Sequence, residues 1–386
     1  MATLTELAYQ VQIAAEAVSS GKAGDNLELL RAIRNLNRVA ETPTDRLRRV
    51  SYQTVQCAAV RLAVEMDLPQ VLVAGSAMTA AELAQKSGAD QTLIVRVMRV
   101  LVAMDICDEI GEEHYKSSPT TEALATPTWS GGTRAINDTL APALAKMVDY
   151  YHEIGFKATD KTCFEYAVGK EFWASFKEKP ALHKDLLDYM KGRKDGNPRW
   201  LDYFPVLTQV DDLSKGGDAV TLVDIGGNLG HDLKLFQQRC PKIPGRLILM
   251  DLAETIAGNS DPLLGIEKIA YDFFTPQPIQ DAKFYMFRAI CHDWPDEDCK
   301  KFLGNTVKAM KKGYSRLLIN DQVLPNTGAE LHPTLLDFTM MTYFHAMERT
   351  ERQWRTLLDS IGVEIVKIWR FDGGGSEAVI EAMLKE

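Results

Sequence analysis

No uninterrupted apolar run of about 20 residues occurs in the sequence, which argues against a membrane-spanning helix. The first residues, Met1-Ala2-Thr3-Leu4-Thr5-Glu6, lack the basic start and apolar stretch of an export signal. Cysteine is sparse: Cys57, Cys107, Cys163, Cys240, Cys291 and Cys299 form no C-x-x-C pair and have no histidine at zinc-like spacing. Free thiols in a reducing cytoplasm are expected, with no metal and no membrane partner. Positive charge is also short, with 44 Lys and Arg against 53 acids and a net charge of −9. Phosphate backbones need a basic stripe, so a small molecule is expected as ligand rather than a nucleic acid. What remains is ordinary globular composition, 46% hydrophobic and 25% charged over 386 residues, enough for two domains.

Residues 27–40 set Leu29, Ile33 and Leu36 on one helical stripe after Asp25 and Asn26 and before Pro43, an amphipathic helix in need of a partner. Short helices are expected over 55–66 and 93–104, with Thr79-Ala80-Ala81-Glu82 as a capping box between them. Residues 106–116 alternate and turn on Gly111 like a small hairpin. Helices plus hairpin read as a winged helix, which raises DNA binding. Asp105, Asp108, Glu109, Glu112 and Glu113 would set like charge against phosphates, so the unit reads instead as a dimerisation module. Trp129-Ser130-Gly131-Gly132 reads as a linker. Helices then run through Lys194, dense in aromatics (Tyr150, Tyr151, Phe156, Phe164, Tyr166, Phe172, Trp173, Phe176) that are mostly core.

Pro198 and the turn 214–218 mark the start of a last domain, where apolar strand candidates alternate with helices. The strands are 220–225, 246–250, 267–271, 283–287, 316–320, 364–370 and 378–383. That alternation argues for a parallel, doubly wound, Rossmann-like α/β sheet. The division expected is 1–128 helical and winged-helix, 129–200 helical and substrate-lining, and 201–386 cofactor-binding.

The first of those strands ends in Val223-Asp224-Ile225-Gly226-Gly227-Asn228-Leu229-Gly230. A dinucleotide fingerprint needs glycine at i, i+2 and i+5, and Gly226, Asn228 and His231 fail it. Asp224 would repel a pyrophosphate but suits a ligand that carries an ammonium group. Asp251, at the end of the second strand, is placed to accept from ribose hydroxyls. S-adenosylmethionine is favoured over a nicotinamide cofactor, against the alternative that the glycines only permit close packing. Asp272 beside Phe273 and Phe274 offers a hydrogen bond and flat faces to an adenine, although two phenylalanines in an α/β core need no ligand.

His292, in Ile290-Cys291-His292-Asp293-Trp294-Pro295, is the candidate base. Moving a proton from a phenol of pKa about 10 to an imidazole of about 6.5 is uphill by about 5 kcal/mol, so a carboxylate must stabilise the imidazolium. Asp321 and Glu348 are the candidates. The alternative is that His292 caps a helix beginning at Pro295.

Residues 53–384, and above all Ile290 to Cys299, Asp321-Gln322-Val323-Leu324-Pro325 and Glu348-Arg349-Thr350-Glu351-Arg352-Gln353-Trp354, resemble the winged-helix S-adenosylmethionine-dependent O-methyltransferases of plant caffeate and flavonoid and of fungal polyketide type. The resemblance implies His292 as general base with Asp321 and Glu348 orienting it. It also implies Gly226, Gly227 and Gly230 at the methionine portion, Asp251 and Leu252 at ribose and adenine, Asp272 with Phe273 at adenine, and Arg288 touching the cofactor. Met190 and Trp294 would line the substrate pocket of a homodimeric enzyme of secondary metabolism. Asn228 departs from a third glycine but enters left-handed conformations readily. Asp321 stands where glutamate is common and reaches one methylene less far. Two alternatives stay open: an S-adenosylmethionine-binding pericyclase or dehydratase on the same fold, and a non-catalytic winged-helix regulator.

Overall fold

The computed structural model describes residues 2–20, 25–157, 159, 161–192, 198–210, 213, 219–372 and 374–385. The chain divides into two compact units, Met1–Ile13 with Leu30–Asn197, and Ala14–Leu29 with Pro198–Glu386. The turn expected at 214–218 lies outside the described residues, as does Lys194.

The first helices are α1 (Leu4–Ser19), α2 (Asp25–Ala40), α3 (Pro43–Ser51), α4 (Gln53–Glu65) and α5 (Leu68–Ala74). Strand β1 (Met78–Thr79), α6 (Ala80–Ser87), α7 (Gln91–Ala103), β2 (Cys107–Gly111) and β3 (His114–Ser117) complete the winged helix, whose small sheet has the order β1-β3-β2. The capping box forms as expected: Thr79 N–H donates to Glu82 Oε2 at 2.7 Å and Glu82 N–H to Thr79 Oγ1 at 3.3 Å. Leu68, Leu83, Ile94, Met98 and Tyr115 form the core of this unit.

After α8 (Pro119–Ala125) comes α9 (Pro127–Glu153), and here the expected linker is wrong. Ser130, Gly131 and Gly132 are buried inside α9, because α12 packs on that helix. A Cβ at Gly131 would stand 3.0 Å from the Asp185 carbonyl, and one at Gly132 would stand 2.3 Å from the Tyr189 ring. The glycines are contact points between helices, and the Arg134 guanidinium pins the pair through two 2.8 Å bonds to Asp185. Between them lie α10 (Cys163–Val168) and α11 (Phe172–Ser175), and then α12 (Pro180–Gly192) follows. Tyr150, Phe164, Phe172 and Phe176 are core as expected, whereas Phe156 and Trp173 are exposed. Residues 129–197 thus share a unit with the winged helix.

The second unit opens with α13 (Trp200–Tyr203) and is built on β4 (Val220–Ile225), α14 (His231–Arg239), β5 (Arg246–Asp251), α15 (Ala253–Gly258), β6 (Ile266–Ala270), β7 (Phe284–Arg288), α16 (Asp296–Ala309), β8 (Arg316–Gln322), α17 (Leu331–Phe344), α18 (Glu351–Ser360), β9 (Val363–Arg370) and β10 (Glu377–Leu384). The strand order is β6-β5-β4-β7-β8-β10-β9. From β6 to β8 every pairing is parallel, while β10 runs antiparallel to both β8 and β9, so the sheet is mixed rather than wholly parallel. The last two strands are joined by a short connection without a crossover helix, which allows only antiparallel pairing. Alternate side chains feed separate cores, Val223, Ile225 and Phe287 on one face, and Leu222, Leu249 and Met286 on the other. No described helix is long and apolar enough to cross a membrane, and the six cysteines are free thiols, Cys57 exposed and the rest buried.

Candidate active site

Parallel pairing aligns five strand ends across the sheet in the order β6, β5, β4, β7, β8. Asp272 follows β6, Asp251 ends β5, Gly226 follows β4, Arg288 ends β7 and Asp321 lies next to last in β8. The chain turns outward from β4 through β5 to β6 and then returns to β4's other flank as β7, which makes the β4/β7 boundary a switch point of the kind that binds ligands.

Asp224 is the one acid in the fully buried β4, 1% exposed. Its Oδ2 has no hydrogen-bond partner among the described residues. Burial pushes this carboxyl well above the usual range, Asp232 and Asp251 add to that, and Arg288 opposes it. A cationic donor would satisfy the orphaned oxygen. Gly226 and Gly230 adopt φ of +72° and +74°, and Asn228 sits at +52°, the left-handed conformation expected of it. At Gly227 a Cβ would come within 2.4 Å of Asp224 Oδ2, so glycine keeps the approach to that oxygen open. Asn228 N–H and Leu252 N–H each donate to the Asp251 carboxylate at 2.8 Å, which fixes its orientation beside the turn. Arg288 donates through Nε to Asp232 Oδ2, in the first turn of α14.

His292 lies in a 3₁₀ turn, Cys291–Asp293, and is 9% exposed. Helix α16 begins at Asp296 with Pro295 as its cap and no side-chain cap bond, so His292 does not serve as the cap. Its Nδ1 meets Glu348 Oε1 at 2.9 Å and stands 4.0 Å from Asp321 Oδ1, while Nε2 is 3.5 Å from Asp293 Oδ1. The shorter reach of Asp321 leaves the direct contact to Glu348. Burial alone would pull the imidazolium's pKa down, yet Asp293, Asp321 and Glu348 together outweigh it and push the ring up to about 10. Burial raises the Glu348 carboxyl, and His292 pulls it back. The three donor atoms of His292, Asp321 and Glu348 lie within 4.8 Å of one another, close enough for a cation, which would have to break the Nδ1 to Glu348 contact.

Glu348 is set by backbone. Leu324 N–H donates to Arg349 O, Glu351 N–H donates to Leu324 O, and Asp337 Oδ1 accepts from Glu348 N–H at 2.8 Å. Beside the site, Phe273 packs on Phe302 with ring centroids 4.8 Å apart, and Trp294 meets Phe274 edge-on at 5.0 Å. Phe273 is packed against the core while Phe274 is the more exposed ring, 37% accessible. Leu252 is exposed, and Asp272 Oδ1 accepts from Phe274 N–H at 3.0 Å. All expected site residues lie in this unit except Met190, which is on α12 of the other and 44% exposed. Sequence reasoning missed Asp232, Asp293 and Asp337. Asp232 was legible as an acid in the first turn after Gly230 and Asp293 as the neighbour of His292, whereas Asp337 carries no local signal.

A sequence profile for an O-methyltransferase domain matches residues 150–364, and one for an O-methyltransferase dimerisation domain matches residues 49–127. The chain belongs to the S-adenosylmethionine-dependent O-methyltransferase family. The demethylsterigmatocystin 6-O-methyltransferase of Aspergillus flavus is 32% identical to this enzyme over 88% of each chain. Among solved structures, OxaC in complex with S-adenosylhomocysteine and oxaline superposes with a TM-score of 0.84 and 29% identity over 99% of both chains. A structure described as a pericyclic reaction enzyme gives a TM-score of 0.88 and 28% identity over 99% of this enzyme and 100% of that chain. The cofactor of this enzyme is S-adenosylmethionine, and the turn after β4 fits it, with an orphaned carboxylate oxygen and a glycine that leaves room beside it.

Proposed function

We propose that this enzyme methylates a hydroxyl of an aromatic or polyketide-like small molecule of secondary metabolism, with His292 as general base and Glu348 and Asp321 orienting it. The observation that carries this reading is the 2.9 Å contact between His292 Nδ1 and buried Glu348, which fixes the tautomer and leaves Nε2 for the acceptor hydroxyl. S-adenosylmethionine supplies the methyl group as part of a sulfonium when bound. Asp224 takes the ammonium end beside Gly226, Gly227 and Gly230, Asp251 the ribose, and Leu252, Asp272 and Phe273 the adenine. Arg288, already paired with Asp232, touches the cofactor. Trp294 lines the acceptor's pocket.

His292 Nε2 removes or shares the hydroxyl proton. With the ring pushed up to about 10, transfer from a phenol of pKa about 10 is close to thermoneutral, which removes the roughly 5 kcal/mol penalty of an unsupported imidazole. The positive charge of the bound cofactor would lower the ring's proton affinity and free Nε2 at lower pH. General base catalysis contributes about 10²- to 10⁴-fold, and alignment of the acceptor supplies much of the rest. The mechanism needs no metal.

The exposed apolar side chains Leu47 and Val50 on α3, Tyr52 between the helices, and Val55 and Leu62 on α4 support a homodimer built through this module, and sedimentation as a monomer at micromolar concentration would oppose it. The exposed acids Asp108, Glu109 and Glu112 of the wing favour a small-molecule partner over nucleic acid, and the free thiols suit the cytoplasm.

The experiment is S-adenosylhomocysteine release from methyl-labelled cofactor with a panel of phenolic acceptors that includes demethylsterigmatocystin. His292→Ala should abolish turnover on any accepted phenol while S-adenosylhomocysteine affinity holds, and near-wild-type turnover removes His292 from its role. A second reading, a cofactor-assisted pericyclic reaction, is favoured by the likeness to the pericyclic reaction enzyme. Conversion of an acceptor without S-adenosylhomocysteine release would select it.

A further inference from the structure

We infer that Arg349 is a positioning residue for His292: its buried guanidinium ties the turn that carries the imidazole to the strap that carries Glu348. The inference rests on the reading of His292 as base.

The Arg349 side chain has no exposure at all. Its NH1 donates to Cys291 O at 2.7 Å and its NH2 to Trp294 O at 2.8 Å, the carbonyls that bracket His292. Its Nε donates to Asp296 Oδ1 at 2.8 Å, at the start of α16, and NH2 also reaches Cys299 Sγ at 3.4 Å. Trp354 stands 5.2 Å beneath the guanidinium carbon. The backbone carbonyl of the same residue accepts from Leu324 N–H at 3.0 Å, which anchors the strap to the continuation of β8.

A short 3₁₀ turn leaves carbonyls at its end that it cannot satisfy itself. Arg349 takes one of them, at Trp294, and adds a second donor to Cys291 O, which already accepts from Trp294 N–H at 3.3 Å. Because Glu348 is its immediate neighbour, the clamp and the acid move as one piece. The chain enters this turn through Ala289 at φ +53°, a conformation an alanine adopts only when its surroundings enforce it. A planar fork with five donors can reach two carbonyls and a carboxylate together, which a lysine ammonium cannot match.

The test is the ring-nitrogen NMR titration of His292 in Arg349→Lys and, as the milder variant, Asp296→Asn, with S-adenosylhomocysteine affinity as the measure of an intact fold. Released from the clamp, the ring should titrate about one unit or more lower and its Nδ1 proton resonance should broaden. Turnover on a phenol accepted in the labelled panel should fall about 10- to 100-fold with KM little changed. A merely structural arginine would lower thermal stability and leave the ring titration of the folded protein alone, which overturns the inference. Where Arg349→Lys does not fold, a wild-type ring titration in Asp296→Asn overturns it equally. A shifted titration together with an active His292→Ala enzyme would sink the base reading and leave the clamp standing.

Discussion

Glutamine at position 348 keeps the shape of the side chain and removes its charge. In the wild-type enzyme His292 is lifted from an ordinary 6.5 to about 10 against the downward pull of burial. At 1.36 kcal/mol per unit, the surrounding acids favour the imidazolium by a net ~5 kcal/mol. Glu348 makes the direct contact, at 2.9 Å with no exposure of its side chain, and a hydrogen bond between charged groups contributes about 1.5–3 kcal/mol. Glu348→Gln should therefore lower the ring's pKa by roughly 1–2 units and leave Asp321 and Asp293 to hold the remainder. On the proposed role of His292 the deprotonated ring is the base, so wild-type kcat/KM should climb with pH from 7 toward 10. The variant should reach its plateau earlier, and that plateau should sit about 10- to 100-fold lower, because a weaker base works against the same phenol.

Stability moves with the same proton. A ring whose folded pKa is raised contributes stability that is complete below about 6.5 and is lost as pH rises through about 10. Melting temperatures of the wild type should fall across that window, and those of Glu348→Gln should fall less. S-adenosylhomocysteine release and melting, both measured from pH 6 to 10.5, give the two curves. An unchanged alkaline midpoint in the variant would mean that the nearest carboxylate has no hold on the ring.

Asp224→Asn should stabilise the unliganded enzyme by about 1–3 kcal/mol at pH 7, because a buried carboxyl with a raised pKa costs stability at every pH above its unfolded value. The same variant should bind S-adenosylmethionine at least ~10-fold more weakly by calorimetry, for want of a charged partner to the ammonium; full affinity would remove Asp224 from the cofactor site. Gly132→Ala should destabilise by about 1–3 kcal/mol in urea unfolding, because the new methyl meets the Tyr189 ring at 2.3 Å. A neutral outcome would mean that α9 and α12 are not in close contact there.

Much of this was legible because it is written in local patterns. Strand β4 coincides with its expected span, since a strand buried on both faces reads as a continuous apolar run and the glycine turn closes it. The capping box at Thr79 and Glu82 was equally plain. The linker expectation at residues 129–132 failed because paired glycines serve flexible segments and helix contacts alike, and only the approach of α12 tells them apart. The antiparallel β10 was missed because strand direction depends on the length of the preceding connection rather than on the apolar pattern. At the site, Glu348 was found through its motif, while Asp337, eleven residues earlier on α17, entered only through the backbone N–H it accepts.

The strand order has a consequence for how such a protein can change. On the assignments proposed here, the nucleoside is gripped by side chains from 224–288 and the proton is handled by side chains from 292–348, two consecutive stretches of one polypeptide that meet along the β7/β8 seam. Substitutions downstream of the seam can rewrite the reaction without loosening the grip upstream. A scaffold divided in this way can inherit its reagent and renegotiate its chemistry, which fits the near-complete superposition of this chain on a catalyst of pericyclic reactions.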